Sequence, residues 1–321
     1  MARVLVANEE AIQEAARLLR EGKLVAFPTE TVYGLGACAL NPKAVARVFE
    51  VKERPFFDPL IVHVATLTMV QDICEFSDPR ALCLAERFWP GPLTIVLPKK
   101  PVVPDIVTAG LPTVAVRMPA HPVALRLIQT AGVPIAAPSA NRFGRLSPTL
   151  ATHVVRQLGD RIELILDGGK CPVGVESTVI ELVDGPLLLR PGGVPLEEIE
   201  KVVGKVKEAS VLDVPRSPGQ LPFHYAPSVP LRIVSQETLP PPGFRVGLLA
   251  FASVKYPERF VHVEILSPSG DLQEAAANLF ACLHRLEEQE IDLIFAEPVP
   301  EVGLGRAIMD RLRKAEAKTK T

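Results

Sequence analysis

The stretch AAPSANRFGRLSPT, residues 136–149, leads from an apolar strand end through Pro138 into Ser139, Asn141, Arg142, Gly144, Arg145 and Ser147. Small hydroxyl and amide groups with exposed backbone N–H can form an anion-binding nest, and two arginines match phosphate geometry. A polar turn at a strand end is where α/β sheets place their sites. The flanking sequence fits that fold. Leu24–Phe27, Leu60–Val64, Leu93–Leu97, Val114–Met118, Ile135–Ala137, Leu164–Leu166, Thr178–Leu182 and Leu187–Arg190 read as short apolar strands. Helical periods cover Ala11–Glu21, a Pro42-led segment to Lys52 behind an Asn41 cap, Asp78-Pro79 to Phe88, Val123–Ala131 and Thr152–Leu158. Strands interleaved with helices make residues 1–205 an α/β sheet domain.

Residues 206–230 have proline, glycine and serine throughout and no apolar period, so they read as a linker. Beyond them come strands at Leu231–Val234, Val246–Phe251, Val261–Ile265 and Asp292–Ala296. A helix from Leu272 to Glu290 and another ending at Arg313 complete a second, smaller α/β unit over 231–321, with KAEAKTKT as a frayed tail.

With 48% hydrophobic residues in 321, the chain can bury two cores. A formal charge of −2 argues against a general nucleic-acid or membrane-surface binder and leaves room for a local basic pocket. Five scattered cysteines without a CxxC or a Cys/His cluster point to a reducing cytosol and no structural metal. Glu9, Glu10 and Glu14 interrupt any signal-peptide plan, and no apolar run is long enough to span a bilayer.

No GxxxxGK[ST] loop, GxSxG elbow or HExxH is present, so phosphate would be handled by another device. Three further segments gather polar groups at strand ends. PTETVYGLG (28–36) offers Thr29, Glu30, Thr31 and Tyr33, although alone it reads as an ordinary strand-to-loop turn. KERPFFDPLIVHV (52–64) carries Lys52 and Arg54 at a helix end, where cations often only complement the dipole. Its His63 lies in an apolar strand, the usual setting of a core histidine. GVESTVIEL (174–182) precedes Arg190, which stands between three leucines and Pro-Gly-Gly, a context no solvated face requires.

In order, PTETVYGLG, the Lys52/Arg54 pair, LIVHV, WPGPLT (89–94), VAVRMPAHP (114–122), APSAN, SPT and ESTV resemble the threonylcarbamoyl-AMP synthase, or YrdC-like, family. HYAP (224–227) and the second unit resemble its long form. The resemblance implies a twisted, open mixed sheet with a concave basic cavity, and a Rossmann-like small domain. It implies that L-threonine, bicarbonate and ATP give threonylcarbamoyl-AMP and pyrophosphate, for modification of tRNA at adenosine 37. Partner proteins would make the transfer, tRNA being an indirect partner. Magnesium would come with ATP, held mainly by its phosphates. Thr31, His63, Arg117, Ala137 and Ser177 would hold threonine. Lys52, Arg54, Asp58, Thr113, Ser139, Asn141, Ser147 and Arg190 would surround ATP, with Lys52 and Arg54 facing its phosphates and Tyr225 folding over as a lid.

The chain departs from the family in three places: Asp58 replaces an asparagine, Arg142-Phe143-Gly144 replaces small-Ser-Gly, and Leu221-Pro222-Phe223 replaces a basic pair. Two rival classes are an RNA-docking module and a carbamoyl-adenylate maturation enzyme. Balanced charge weighs against the first and missing zinc-finger cysteines against the second.

Overall fold

A computed structural model describes residues 1–209, 215–221 and 224–319. Local chemistry starts the helices where the sequence places them. The Asn41 side chain accepts from the Lys43 and Ala44 N–H at 3.1 and 3.2 Å, and Pro42 opens the first turn. That helix stops at Glu53 in the left-handed region (φ 57°), and the chain then carries Arg54 into the interior.

Among the described residues one large mixed sheet has eleven strands. They are β1 (Arg3–Val6), β2 (Val25–Phe27), β3 (Gly34–Cys38), β4 (Ile61–His63), β5 (Leu93–Pro98), β6 (Thr113–Arg117), β7 (Ile135–Ala136), β8 (Leu164–Asp167), β9 (Thr178–Glu181), β10 (Leu187–Arg190) and β11 (Lys207–Glu208). Their spatial order is β1-β8-β2-β3-β7-β4-β6-β5-β9-β10-β11. The associated helices are α1 (Glu9–Arg20), α2 (Pro42–Lys52), α3 (Leu67–Ile73), α4 (Pro79–Phe88), α5 (Asp105–Thr108), α6 (Pro122–Ala131), α7 (Ala151–Leu158) and α8 (Leu196–Val203). A second sheet is all parallel, in the order β12-β15-β13-β14, from β12 (Leu231–Ile233), β13 (Val246–Ala250), β14 (His262–Ile265) and β15 (Leu293–Ala296). Helices α9 (Leu272–Glu287) and α10 (Gly305–Thr319) pack on it.

Register positions the future site. Strands β4 and β6 run parallel with His63 opposite Arg117, both at strand ends. Strand β9 begins at Thr178 opposite Leu93, which brings Ser177 to the same region. Strand β10 returns antiparallel to β9 and ends at Arg190.

The two units share an apolar core: Val32, Leu146, Val175 and Tyr225 cluster with Leu231, Phe280 and Leu312. The described residues of the segment expected as a linker and lid pack against the rest of the protein. Lys207–Glu208 adds β11 to the sheet edge, and Ala226 donates its N–H to Gly144 O at 3.0 Å. Residues 210–214, the Pro222 and Phe223 of the altered tripeptide, and residues 320–321 lie outside the described part.

Several elements differ from expectation. Gly34–Gly36, read as part of a turn, forms β3 against β2, with Val25 opposite Gly36. The glycine is required there: a Cβ on Gly36 would stand 2.8 Å from the Phe27 ring. β1, α3, α5, α8 and β11 were not anticipated, since such short segments carry too little period to read. The tail is not frayed to Arg313. Helix α10 continues to Thr319, with Ala315 buried and Lys314 bonded to Gly219 O at 2.7 Å. Among the described residues no helix is long and apolar enough to cross a membrane.

At Gly174 (φ +76°) the two units approach closely, a Cβ there falling less than 3 Å from the Ala276 carbonyl oxygen and 2.5 Å from Ala277 Cα. Gly174→Ala should therefore lower stability by about 2 kcal/mol or more and loosen the C-terminal unit. Chemical denaturation and proteolysis of the interface check this, and an unchanged midpoint contradicts it.

Candidate active site

A cleft opens where these strand ends meet. The turn between β2 and β3 contributes Thr29, Thr31, Val32 and Gly34, while β4 and β6 contribute Ile61, His63 and Arg117. Ala137, Pro138 and Ser139 follow β7, Glu176 and Ser177 precede β9, and Arg190 closes β10. Arg54 enters from beyond α2, and Pro218, Gly219, His224 and Tyr225 cover the cleft.

Thus Thr31, His63, Arg117, Ala137, Ser177, Arg54, Ser139, Arg190 and Tyr225 come together as the sequence led one to expect. Other expected residues stand behind them. Lys52 is buried and donates to Ser139 O and Asn141 O at 2.6 and 2.5 Å, bracing the loop instead of facing the cleft. The Asn141 amide is turned to Arg142 O and Arg145 O, and Ser147 donates to Glu176 Oε1 at 2.5 Å. Asp58 lies beneath Arg54, and Thr113 starts β6 at the far end from Arg117, away from the cleft. Glu176, His224 and the Pro218-Gly219 turn were missing from the expected set. The first two adjoin residues that were in it, and an SPG turn within a presumed linker gives only a turn signal.

Each cation near the cleft is held by specific partners. Arg54 pairs with Asp58 at 2.8 Å and donates to Asp58 O and Pro59 O. Arg117 pairs with Glu30 at 2.6 Å and donates to Thr31 Oγ1 at 2.9 Å. Arg190 donates to Ser177 O, Ser177 Oγ and Pro218 O. Buried polar atoms without a hydrogen-bond partner include His63 Nδ1, His224 Nδ1 and the Tyr225 hydroxyl, all on residues that line the cleft. Such atoms are few in native proteins, and their convergence marks a place built for a ligand.

The field is cationic and dry. Burial, then the Arg117 charge, pushes His63 down to about 3, and burial with Arg54 and Lys52 holds His224 well below the usual histidine range. Burial and Arg54 depress Lys52, while burial lifts Asp58 against the pull of Arg54 and Lys52. Burial raises the Tyr225 hydroxyl to about 12.

A mixed α/β sheet that draws arginines from several strand ends into one enclosed cleft defines the class, a small-molecule anion site on an α/β scaffold. Residues 17–192 match the Sua5/YciO/YrdC family model, described as telomere recombination. Residues 194–317 match that of the threonylcarbamoyl-AMP synthase C-terminal domain. The chain is 48% identical to the threonylcarbamoyl-AMP synthase of Pyrococcus abyssi, over 96% of its own length and 94% of that protein. It is 46% identical to that of Bacillus subtilis, over 97% and 94%. The crystal structure of P. abyssi Sua5 complexed with L-threonine superposes with TM-score 0.91 at 45% identity, over 99% of this chain and 98% of that one. The chain belongs to the threonylcarbamoyl-AMP synthase family, in its two-unit form.

Four buried histidines set an acid limit. His63 and His153 are pushed down to about 3, His284 to about 4, and His224 well below its usual range, burial being the largest cause for each. In the unfolded chain all four take up protons below about pH 6.5, whereas the native fold refuses them. Their stabilisation is therefore complete above that pH and is lost as pH falls toward 3–4. The unfolding free energy should fall between pH 7.5 and 5.5, most of it below pH 6.5, by roughly 1 kcal/mol in total for each effective histidine. Equal values would contradict the assignment.

Proposed function

We propose that this chain makes threonylcarbamoyl-AMP from L-threonine, bicarbonate and ATP. The threonine amine joins the carbon of bicarbonate with loss of water. A carbamate oxygen then attacks the α-phosphorus of ATP, and pyrophosphate leaves with the bridging oxygen. Little proton transfer is needed, so positioning and charge neutralisation dominate. The observation that carries this reading is a single cleft in which Arg117, Arg54 and Arg190 arrive on separate elements. A substrate carboxylate and a polyphosphate can then be held by different cations side by side.

Arg117 is the planar donor for the threonine carboxylate, with Thr31, Ala137 and Ser177 around the side chain. His63, kept neutral by burial and Arg117, can meet the amine without repelling it. Arg54, Arg190 and Ser139 face ATP, and Tyr225 covers it. Lys52, Asn141 and Ser147 support these groups from behind, and Thr113 lies outside the residues that line the cleft. Magnesium enters with the phosphates as part of the substrate. The nearby carboxylates Glu30, Asp58 and Glu176 already face arginines and offer it no cage. The labile adenylate would pass to separate proteins that modify tRNA adenosine 37. Free cysteines, four of them buried, agree with a reducing cytosol as the setting.

The decisive measurement is pyrophosphate release from ATP, which should require both threonine and bicarbonate. Release independent of either defeats the proposal. Arg54→Ala should lower kcat/KM for ATP by about 10- to 100-fold with little change in the threonine KM. Equal losses for both substrates would move Arg54 out of the phosphate site.

The Asp58 carboxylate competes with phosphate for the same guanidinium, 2.8 Å away. Asp58→Asn leaves Arg54 uncompensated until an anion arrives. The ligand-free Tm should fall, the ATP-induced rise in Tm should grow, and the ATP KM should drop by about threefold or more. An unaltered ATP response would show that Asp58 does not compete.

A further inference from the structure

The largest fully buried side chain among the described residues is Arg311, and it comes from α10 of the C-terminal unit. Its Nε donates to Glu176 Oε2 at 2.9 Å, and its NH1 donates to Pro191 O at 2.9 Å and to Asp310 Oδ2 at 2.6 Å. The other Glu176 oxygen accepts from Ser147, so this carboxylate is gripped from both units. The guanidinium also lies 4.8 Å from the centre of the Tyr225 ring. One turn further on, Lys314 is tied to Asp310 and donates to Gly219 O at 2.7 Å. Gly219 and Tyr225 are both cover residues of the cleft, and Glu176 is one of its walls.

We propose that Arg311 is a positioning residue for the adenylation reaction: it holds Glu176 as a carboxylate in the cleft wall and seats Tyr225 over the substrates, so the C-terminal unit completes the site. The inference rests on the function proposed above and assigns a role to the second unit within it.

The charges around Glu176 explain why one arginine matters. Facing it are Arg190 from β10, Arg311 from α10 and Tyr225 from the cover segment, while Asp310 pairs with the same Arg311. Burial alone would push the Glu176 carboxyl up, but Arg311 first and Arg190 second outweigh it and hold it below the usual range. Without Arg311, burial regains weight and the proton returns nearer neutrality. A protonated Glu176 would compete for the hydrogen bond that Ser147 now donates, and the wall beside Ser177 would change its charge. The Tyr225 ring would lose its cation at the same time.

The test uses the full chain with Arg311→Met, Arg311→Lys, Glu176→Gln and the double variant Arg311→Met/Glu176→Gln. Pyrophosphate release is followed from pH 6 to 9 with both substrates varied. Arg311→Met should lower kcat/KM for ATP by about tenfold or more and bring into the pH 6–9 window an acid limb that the wild type lacks there. Arg311→Lys should restore most of the profile. The double variant leaves no unpaired buried charge, so it folds, and it should be no worse than Glu176→Gln alone. A uniform loss with an unmoved pH profile, or multiplicative losses in the double variant, overturns the proposal. Hydrogen exchange across the described part of 215–226, read without substrates, separates this idea from the assignment of the reaction. It should speed up about tenfold in Arg311→Met, and unchanged exchange refutes the seating of Tyr225 even if the wild-type reaction proves to be another.

Discussion

Arg54, Arg117 and Arg311 are withdrawn almost wholly from water, and each faces a buried carboxylate: Asp58 at 2.8 Å, Glu30 at 2.6 Å and Glu176 at 2.9 Å. Taking such ions out of water costs several kcal/mol apiece, so each arginine keeps its place only where an acid and good donors' partners meet it. Backbone carbonyls supply the rest: Pro59 for Arg54, Gly91 for Arg117 and Pro191 for Arg311. Cations ordered in this way need no reorganisation when they meet an anionic ligand, which is how electrostatic preorganisation works. The sheet serves this arrangement, because only strand ends in fixed register hold His63 and Arg117 side by side.

The cover segment is held by similar means. Tyr225 adopts a left-handed backbone (φ 61°), a conformation that costs a non-glycine residue about 1–2 kcal/mol. Its ring is buried against His224, Phe280 and the Arg311 guanidinium, which offsets that strain. At Gly219 (φ +84°) a Cβ would stand 2.5 Å from the Tyr225 hydroxyl, so the turn can approach only as glycine. The described part of the cover segment is thus a shaped surface packed between two units.

The departures from the family pattern take on meaning in the same terms. Asp58 does not face phosphate unscreened, because Arg54 stands directly against it. Phe143, bulkier than the small residue expected there, puts its ring 5.6 Å from His224 and 5.9 Å from the Arg54 guanidinium. The substitution therefore fills space between the serine–asparagine loop and the cover segment.

Strand and helix types, and the Asn41 cap, were legible in the sequence because they depend on neighbours along the chain. So was the membership of half of the cleft residues, largely through the order of short motifs that carry Thr31, His63, Arg117, Ser139 and Ser177. The direction each side chain faces was not legible. Lys52 and Arg54 lie two apart at one helix end, yet one braces a loop and the other reaches the cleft, since Glu53 turns the chain between them. Arg311 sits in a helical run rich in charges, and tertiary packing makes it the most deeply buried arginine. Local pattern determines which elements form and which groups are available. Burial, and with it the charge state and partner of every ion at the site, is decided only when distant segments close off the water.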